Sequence, residues 1–149
     1  MGKQIAQAQQ EFVVDTHKPG FVDITHDVAN WLGSINAECG LATVFIRHTS
    51  ASLVIQENAD PAVQVDLMDA LDRLAPRDQH YHHSSEGPDD MPSHIRSMVT
   101  TTSLQIPVAD GRMLLGTWQA IYLIEHRDAP HRRQVVTHYT GTLAGGDSA

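Results

Sequence analysis

Histidine and carboxylate crowd one stretch of this chain. Of ten histidines in 149 residues, five fall between His80 and His126, and two of these, His83 and His94, flank an acidic bend that carries Glu86, Asp89 and Asp90. Neutral imidazole beside carboxylate is a donor set for a divalent metal ion, and a short domain gains little by gathering such groups unless they converge. Two imidazoles and a third ligand leave coordination positions open for water or a phosphate oxygen, which suits a catalytic ion. The same spacing also permits surface imidazoles near helix caps. Glu86, Asp89 and Asp90 could orient the imidazoles, ligate the ion, or complement the positive end of the helix that follows. Asp90, nearest Pro92, is the expected cap, and at least one of the three acids is expected in the site.

A second set of candidates lies on strands. Alternation along residues 118–126 puts Gln119, Ile121, Leu123 and Glu125 on one face and Trp118, Ala120, Tyr122, Ile124 and His126 on the other. Glu125 and His126 therefore cannot both enter one pocket from a regular strand. Either the strand ends or bulges there, or one residue serves a neighbouring subunit. His126 is taken as the third metal ligand, with Gln119 and Glu125 as polar pocket wall or interface; Gln119 reads equally well as an amide satisfying buried backbone groups. His48 falls at a strand end, where a free imidazole can act as general acid or base near neutral pH. The hydroxyls of Ser50 and Ser52 could hold a phosphate, or simply form a turn. The two tryptophans and Tyr122 are read as core.

Composition narrows the chemistry. The single cysteine, Cys39, excludes an internal disulfide, a thiolate zinc site and an iron–sulfur cluster. A formal charge of −8 repels a phosphate backbone, so nucleic acid is not an expected partner. The basic group Arg127, His131, Arg132 and Arg133 reads as a solvated hairpin tip, or as a patch for one anionic ligand. The first residues lack an apolar signal core and no later run reaches membrane-spanning length, so the expectation is a soluble cytoplasmic protein without a membrane partner.

The elements that must position these residues follow from periodicity. Residues 10–16 and 20–25 read as strands joined in a hairpin through Lys18-Pro19-Gly20. Thr25 is the expected cap of a helix over 26–38, closed by Gly40. Strands are expected over 41–48 and 52–56, then a helix capped by Asp60 with Pro61 in its first turn and an apolar stripe of Val63, Leu67, Ala70, Leu71 and Leu74. A long polar connection over 75–92 is of the kind that carries function. A short helix over 92–98 and strands over 103–108, 112–115, 118–126 and 134–139 complete the pattern. The sum is a single α+β domain, residues 1–149, on a largely antiparallel or mixed sheet with about three helices; 1–9 and 141–149 are expected to be flexible tails.

Five stretches in order then carry a resemblance: His48-Thr49-Ser50-Ala51-Ser52, Glu57-Asn58-Ala59-Asp60, Tyr81-His82-His83, Glu86-Gly87-Pro88-Asp89-Asp90-Met91-Pro92-Ser93-His94-Ile95, and Gly116-Thr117-Trp118-Gln119-Ala120-Ile121-Tyr122-Leu123-Ile124-Glu125-His126-Arg127. Over residues 12–139 the chain resembles the YjbQ-type family, named secondary thiamine-phosphate synthases. The resemblance implies an α+β subunit that forms a homotrimer, with polar residues gathered in a metal-binding pocket. It selects His83 over His82 and aligns His94, His48 and His126 with the family's site motifs; Ala120 for glycine and Ser93 for alanine remove no chemical group. The implied cofactor is a divalent ion, zinc or magnesium/manganese, and the implied partner a small phosphorylated substrate. The implied reaction joins a pyrimidine diphosphate to a thiazole phosphate with release of pyrophosphate, with His48 or Arg127 supplying a proton or positive charge. Two other readings stay open: a metal-dependent hydrolase using Glu86, Asp89 or Glu125 as base, and a non-catalytic metal- or ligand-binding trimer.

Overall fold

The computed structural model describes residues 2–145, and the last four positions of the expected C-terminal tail lie outside the described residues. Eight strands and three helices run in the order β1 (Ala6–Thr16), β2 (Gly20–Asp23), α1 (Thr25–Ser34), β3 (Ala37–Ile46), β4 (Ala51–Glu57), α2 (Pro61–Leu74), α3 (Asp90–Val99), β5 (Ser103–Ala109), β6 (Arg112–Met113), β7 (Gln119–Glu125) and β8 (His131–Leu143). They form two antiparallel sheets, a five-stranded one ordered β1-β8-β3-β5-β6 and a three-stranded one ordered β2-β7-β4. The α+β reading holds, with two sheets in place of one.

The expected hairpin does not form. β1 pairs along its whole length with β8, while β2 pairs with β7 in the other sheet, so the turn after Thr16 carries the chain from one sheet to the other. Alternation in a strand shows which face is apolar but not which strand lies alongside, and β8 offers β1 a far longer ladder than the four residues of β2. The same ladder orders Ala6–Gln9 and Gly141, and β3 pairs with Thr142 and Leu143, where the sequence suggests flexible tails.

One core joins both sheets and α1. Val44, Ile46, Ile106, Val135 and Tyr139 from the larger sheet meet Leu53, Ile121 and Leu123 from the smaller one, with Val28, Trp31 and Leu32 of α1. Trp118 is not part of it, being 62% exposed just before β7. α1 ends earlier than expected because Asn36 adopts a left-handed φ of 57°. Thr25 does not cap it; its hydroxyl instead accepts the Ile121 amide at 2.9 Å. Gly40 lies inside β3, where a Cβ would strike the Thr140 carbonyl and Gly141 backbone of β8.

α2 starts as its sequence signals, Asp60 accepting the Ala62 amide at 2.9 Å with Pro61 in the first turn. Its stripe is shallower than expected, with no residue fully buried and Leu74 exposed. α3 begins at Asp90, two residues before the expected start, and packs near β4. That earlier start decides the geometry of the acidic bend.

Candidate metal centre

Asp90 and His94 are four residues apart on α3, a spacing that stacks side chains on one helix face. His83 approaches from the preceding loop. Its Nε2 lies 2.6 Å from Asp90 Oδ2, and His94 Nε2 lies 3.3 Å from that same oxygen. The two rings are tilted with centroids 5.6 Å apart. One donor atom from each of the three residues falls within 4.8 Å of the others, an arrangement able to hold a metal ion. Asp90 is thus a candidate ligand and not the expected cap; no side chain caps α3.

The surrounding residues fix this triad. Asp90 is only 3% exposed. Burial by itself would raise its pKa, but the hydrogen bond to His83, the neighbouring His94 and the Arg127 guanidinium outweigh that and hold the carboxyl below its usual value. Arg127 is the organising cation: Nη1 donates to Asp90 Oδ1 at 2.7 Å, Nε to Asp89 Oδ2 at 2.9 Å and Nη2 to the Glu86 carbonyl at 3.0 Å. Asp89 also accepts the Asp128 amide at 2.9 Å, so it anchors the loop and does not face the triad. Glu86 is exposed, its Oε2 lying 3.2 Å from His83 Nε2. The Thr49 carbonyl, 3.0 Å from His94 Nδ1, takes that ring's hydrogen and leaves the Nε2 lone pair directed at the triad.

His126, expected as the third ligand, does not join this cluster. β7 ends at Glu125, and the two residues leave on opposite sides, both buried. His126 Nε2 pairs with Ser52 Oγ at 2.9 Å, while its Nδ1 is buried without a partner. Burial first, then the nearby charges of Arg96 and Arg133, push its pKa down to about 4 against the opposing pull of Glu125, so the ring is neutral. Glu125 forms a two-pronged pair with Arg133, Oε1 to Nε at 2.7 Å and Oε2 to Nη2 at 2.5 Å, and accepts the Thr16 hydroxyl. A carboxylate held so completely has no oxygen left to act as base.

The remaining candidates scatter. Gln119 is exposed at the far end of β7, where Oε1 accepts the Gly116 amide at 2.7 Å, and it does not approach the triad. Ser52 is buried between His126 and Thr100, and Ser50 Oγ accepts from Arg133 at 3.0 Å, so neither presents a free phosphate cradle. His48 stands beside the Thr49 anchor; its Nε2 accepts the Gln134 amide at 2.7 Å, and its Nδ1 lies 3.4 Å from Arg133 Nη1. Burial and then the Arg133 charge lower its pKa. The supposed basic tip divides: Arg127 and Arg133 are drawn into buried or half-buried ion pairs, while Arg132 keeps an exposed pair with Asp15 at the edge.

Three features were set aside or missed in the sequence: Asp90 as a candidate ligand, weighed there but favoured as the cap; the Thr49 carbonyl; and the pairing of Arg133 with Glu125. The four-residue interval from Asp90 to His94 was a usable signal for the first. A backbone carbonyl carries none.

The chain matches the family described as UPF0047 protein YjbQ-like over residues 10–142. Curated relatives include UPF0047 protein sll1880 of Synechocystis, 47% identical over 92% of this chain and 94% of that protein. UPF0047 protein YjbQ of Salmonella typhimurium is 41% identical over 89% of this chain and 97% of the relative. Among solved structures, an uncharacterised yjbq/upf0047 family protein of Clostridium acetobutylicum superposes with a TM-score of 0.81 at 34% identity, covering 87% of this chain and 98% of the other. A YbjQ-like protein of unknown function from Sulfolobus solfataricus reaches 0.86 at 21% identity, over 93% and 99% of the two chains, and supports the fold alone.

Proposed function

The chain belongs to the YjbQ-like UPF0047 family, and we propose that it is a divalent-metal-dependent enzyme acting on a small phosphorylated substrate, with His83, Asp90 and His94 as the ligands. The observation that supports this most is the convergence of three donor atoms within 4.8 Å around a buried carboxylate. The fit to an ion is chemical as well as spatial: the Thr49 carbonyl sets the His94 tautomer, and binding displaces the proton that His83 and Asp90 otherwise share. Two imidazoles and one carboxylate suit zinc or manganese better than magnesium, which favours oxygen ligands.

A bound divalent ion would offer concentrated positive charge to substrate phosphate oxygens as charge builds on a leaving group. Arg127 fixes the Asp90 carboxylate, and the His83 ring, 2.6 Å from it, would swing back to admit an ion between them. Glu86, exposed and paired with His83 at 3.2 Å, is the carboxylate beside the site that would accept a proton once an ion takes the His83 ring. Arg127 is engaged by Asp89 and Asp90 and acts as a positioning residue, not as the phosphate-binding cation the sequence reading allowed.

The specific reaction we favour is transfer of the thiamine-phosphate-synthase type. The thiazole nitrogen attacks the methylene carbon of a pyrimidine diphosphate, the carbon–oxygen bond breaks, and pyrophosphate leaves with the bonding pair. Hydrolysis of one phosphorylated substrate is the second reading, favoured by a carboxylate, Glu86, beside the triad and by the lack there, among the described residues, of an unpaired arginine. Pyrophosphate release that requires both substrates and is lost in His83→Ala supports transfer. Phosphate release from a single substrate favours hydrolysis, and neither reaction in the metal-loaded protein contradicts an enzyme of this substrate class.

The proposal extends to a homotrimer in the cytoplasm. Val13, Leu41 and Phe45 are exposed on the outer face of the five-stranded sheet, where apolar side chains favour a protein neighbour over water.

A further inference from the structure

β3 ends at Ile46, but its ladder with β8 runs on by one bond, the Arg47 amide donating to the Gln134 carbonyl at 3.2 Å. The Gln134 amide then meets no strand carbonyl. It donates to His48 Nε2 at 2.7 Å, so the imidazole closes the ladder. A backbone amide always carries its hydrogen, which makes Nε2 the acceptor. A neutral imidazole must then carry its own hydrogen on Nδ1, and a cationic one carries it there too.

Arg133 brings a second donor to the same point. Its Nε and Nη2 are taken by Glu125, with Nη2 also reaching Ser50 Oγ and the Ser50 carbonyl. Its Nη1 lies 3.4 Å from His48 Nδ1 and has no other partner among the described residues. Both atoms bear hydrogen, so they cannot satisfy one another. The Arg133 side chain is only 4% exposed, and leaving its donor without an acceptor is costly. His48 also lines a pocket of about 520 Å³, together with Arg47, Thr49 and Ser50.

We propose that His48 Nδ1–H and Arg133 Nη1–H form a fork that binds an oxyanion, a carboxylate or phosphate oxygen, entering from this pocket. The acceptor sits between the two donors and resolves their mismatch with two hydrogen bonds, one of them from a guanidinium. Its position gives it a use. His48 holds the anion while the next residue, Thr49, holds His94 through its carbonyl, so one chain segment joins the fork to the triad. That placement within a catalytic site rests on the metal reading; the fork itself does not.

The test is calorimetric titration of inorganic phosphate, and separately of acetate, into protein freed of metal with a chelator that is then removed. His48→Gln keeps an acceptor for the Gln134 amide but loses Nδ1–H, and His48→Phe loses both; thermal melting verifies that each variant folds. The expected result is measurable binding of at least one anion by the parent, weakened about tenfold or more in both variants, with zinc binding retained. The anion bound more tightly identifies the group recognised. Failure of the parent to bind either anion, as when a water alone occupies the gap, overturns the proposal, as does undiminished binding in both variants. Zinc binding is read separately, so a failed metal centre and a failed fork are told apart.

Discussion

Asp90 divides its two oxygens, Oδ1 to Arg127 and Oδ2 to the two imidazoles. Asp90→Asn keeps the shape and removes the charge, so we expect zinc affinity to fall about a hundredfold, with the weakened Arg127 pair costing stability as well. Calorimetric titration and urea unfolding measure the two effects. His126 supports a separate prediction. Its folded pKa, about 4, lies below the ordinary value of 6.5, so between these values the unfolded chain binds a proton that the folded chain does not. Stability from this residue is therefore full above the ordinary value and is lost as pH falls toward the folded one. From pH 7 to pH 5 the loss is about 2 kcal/mol, and His126→Gln should flatten that slope in urea unfolding. At this scale the sequence exposed the paired histidines through their flanking acids. It hid His126's true place, because alternation tells which side of a strand a ring leaves from but not what waits there.

The loop before α3 takes its order from Arg127 more than from packing. Arg127→Lys cannot reach Asp89, Asp90 and the Glu86 carbonyl together, and zinc affinity should fall about tenfold while global unfolding moves less. Hydrogen exchange confined to residues 84–89 would locate the change. Gly40 makes the opposite point. Its lack of a side chain lets β3 and β8 approach, and Gly40→Ala should destabilise by about 2 kcal/mol without altering the centre. Helix and strand identities were largely legible: Asp60-Pro61 announces α2, and a run of β-branched and aromatic residues announces β3. The pairing of β1 was not, since its partner lies more than a hundred residues away. The start of α3 was misplaced because Asp90 looked like a cap, and only the triad gives it another task.

As a whole, the molecule places its metal candidate at one end of the small sheet and leaves the outer face of the large sheet to solvent. If that face is the trimer contact, Phe45→Glu should reduce the mass measured by light scattering from three chains to one while leaving zinc stoichiometry unchanged; an unaltered trimer would assign the contact elsewhere. The two-sheet arrangement itself could not be read from local pattern, because both sheets contribute alternating strands to one shared core. Zinc titration into metal-stripped protein decides whether His83, Asp90 and His94 converge on one ion. The parent and His126→Gln should each bind one ion per chain, and His83→Ala and His94→Ala should bind none under the same conditions. Full occupancy in both alanine variants, or its loss in His126→Gln with the fold intact, would place the ion elsewhere.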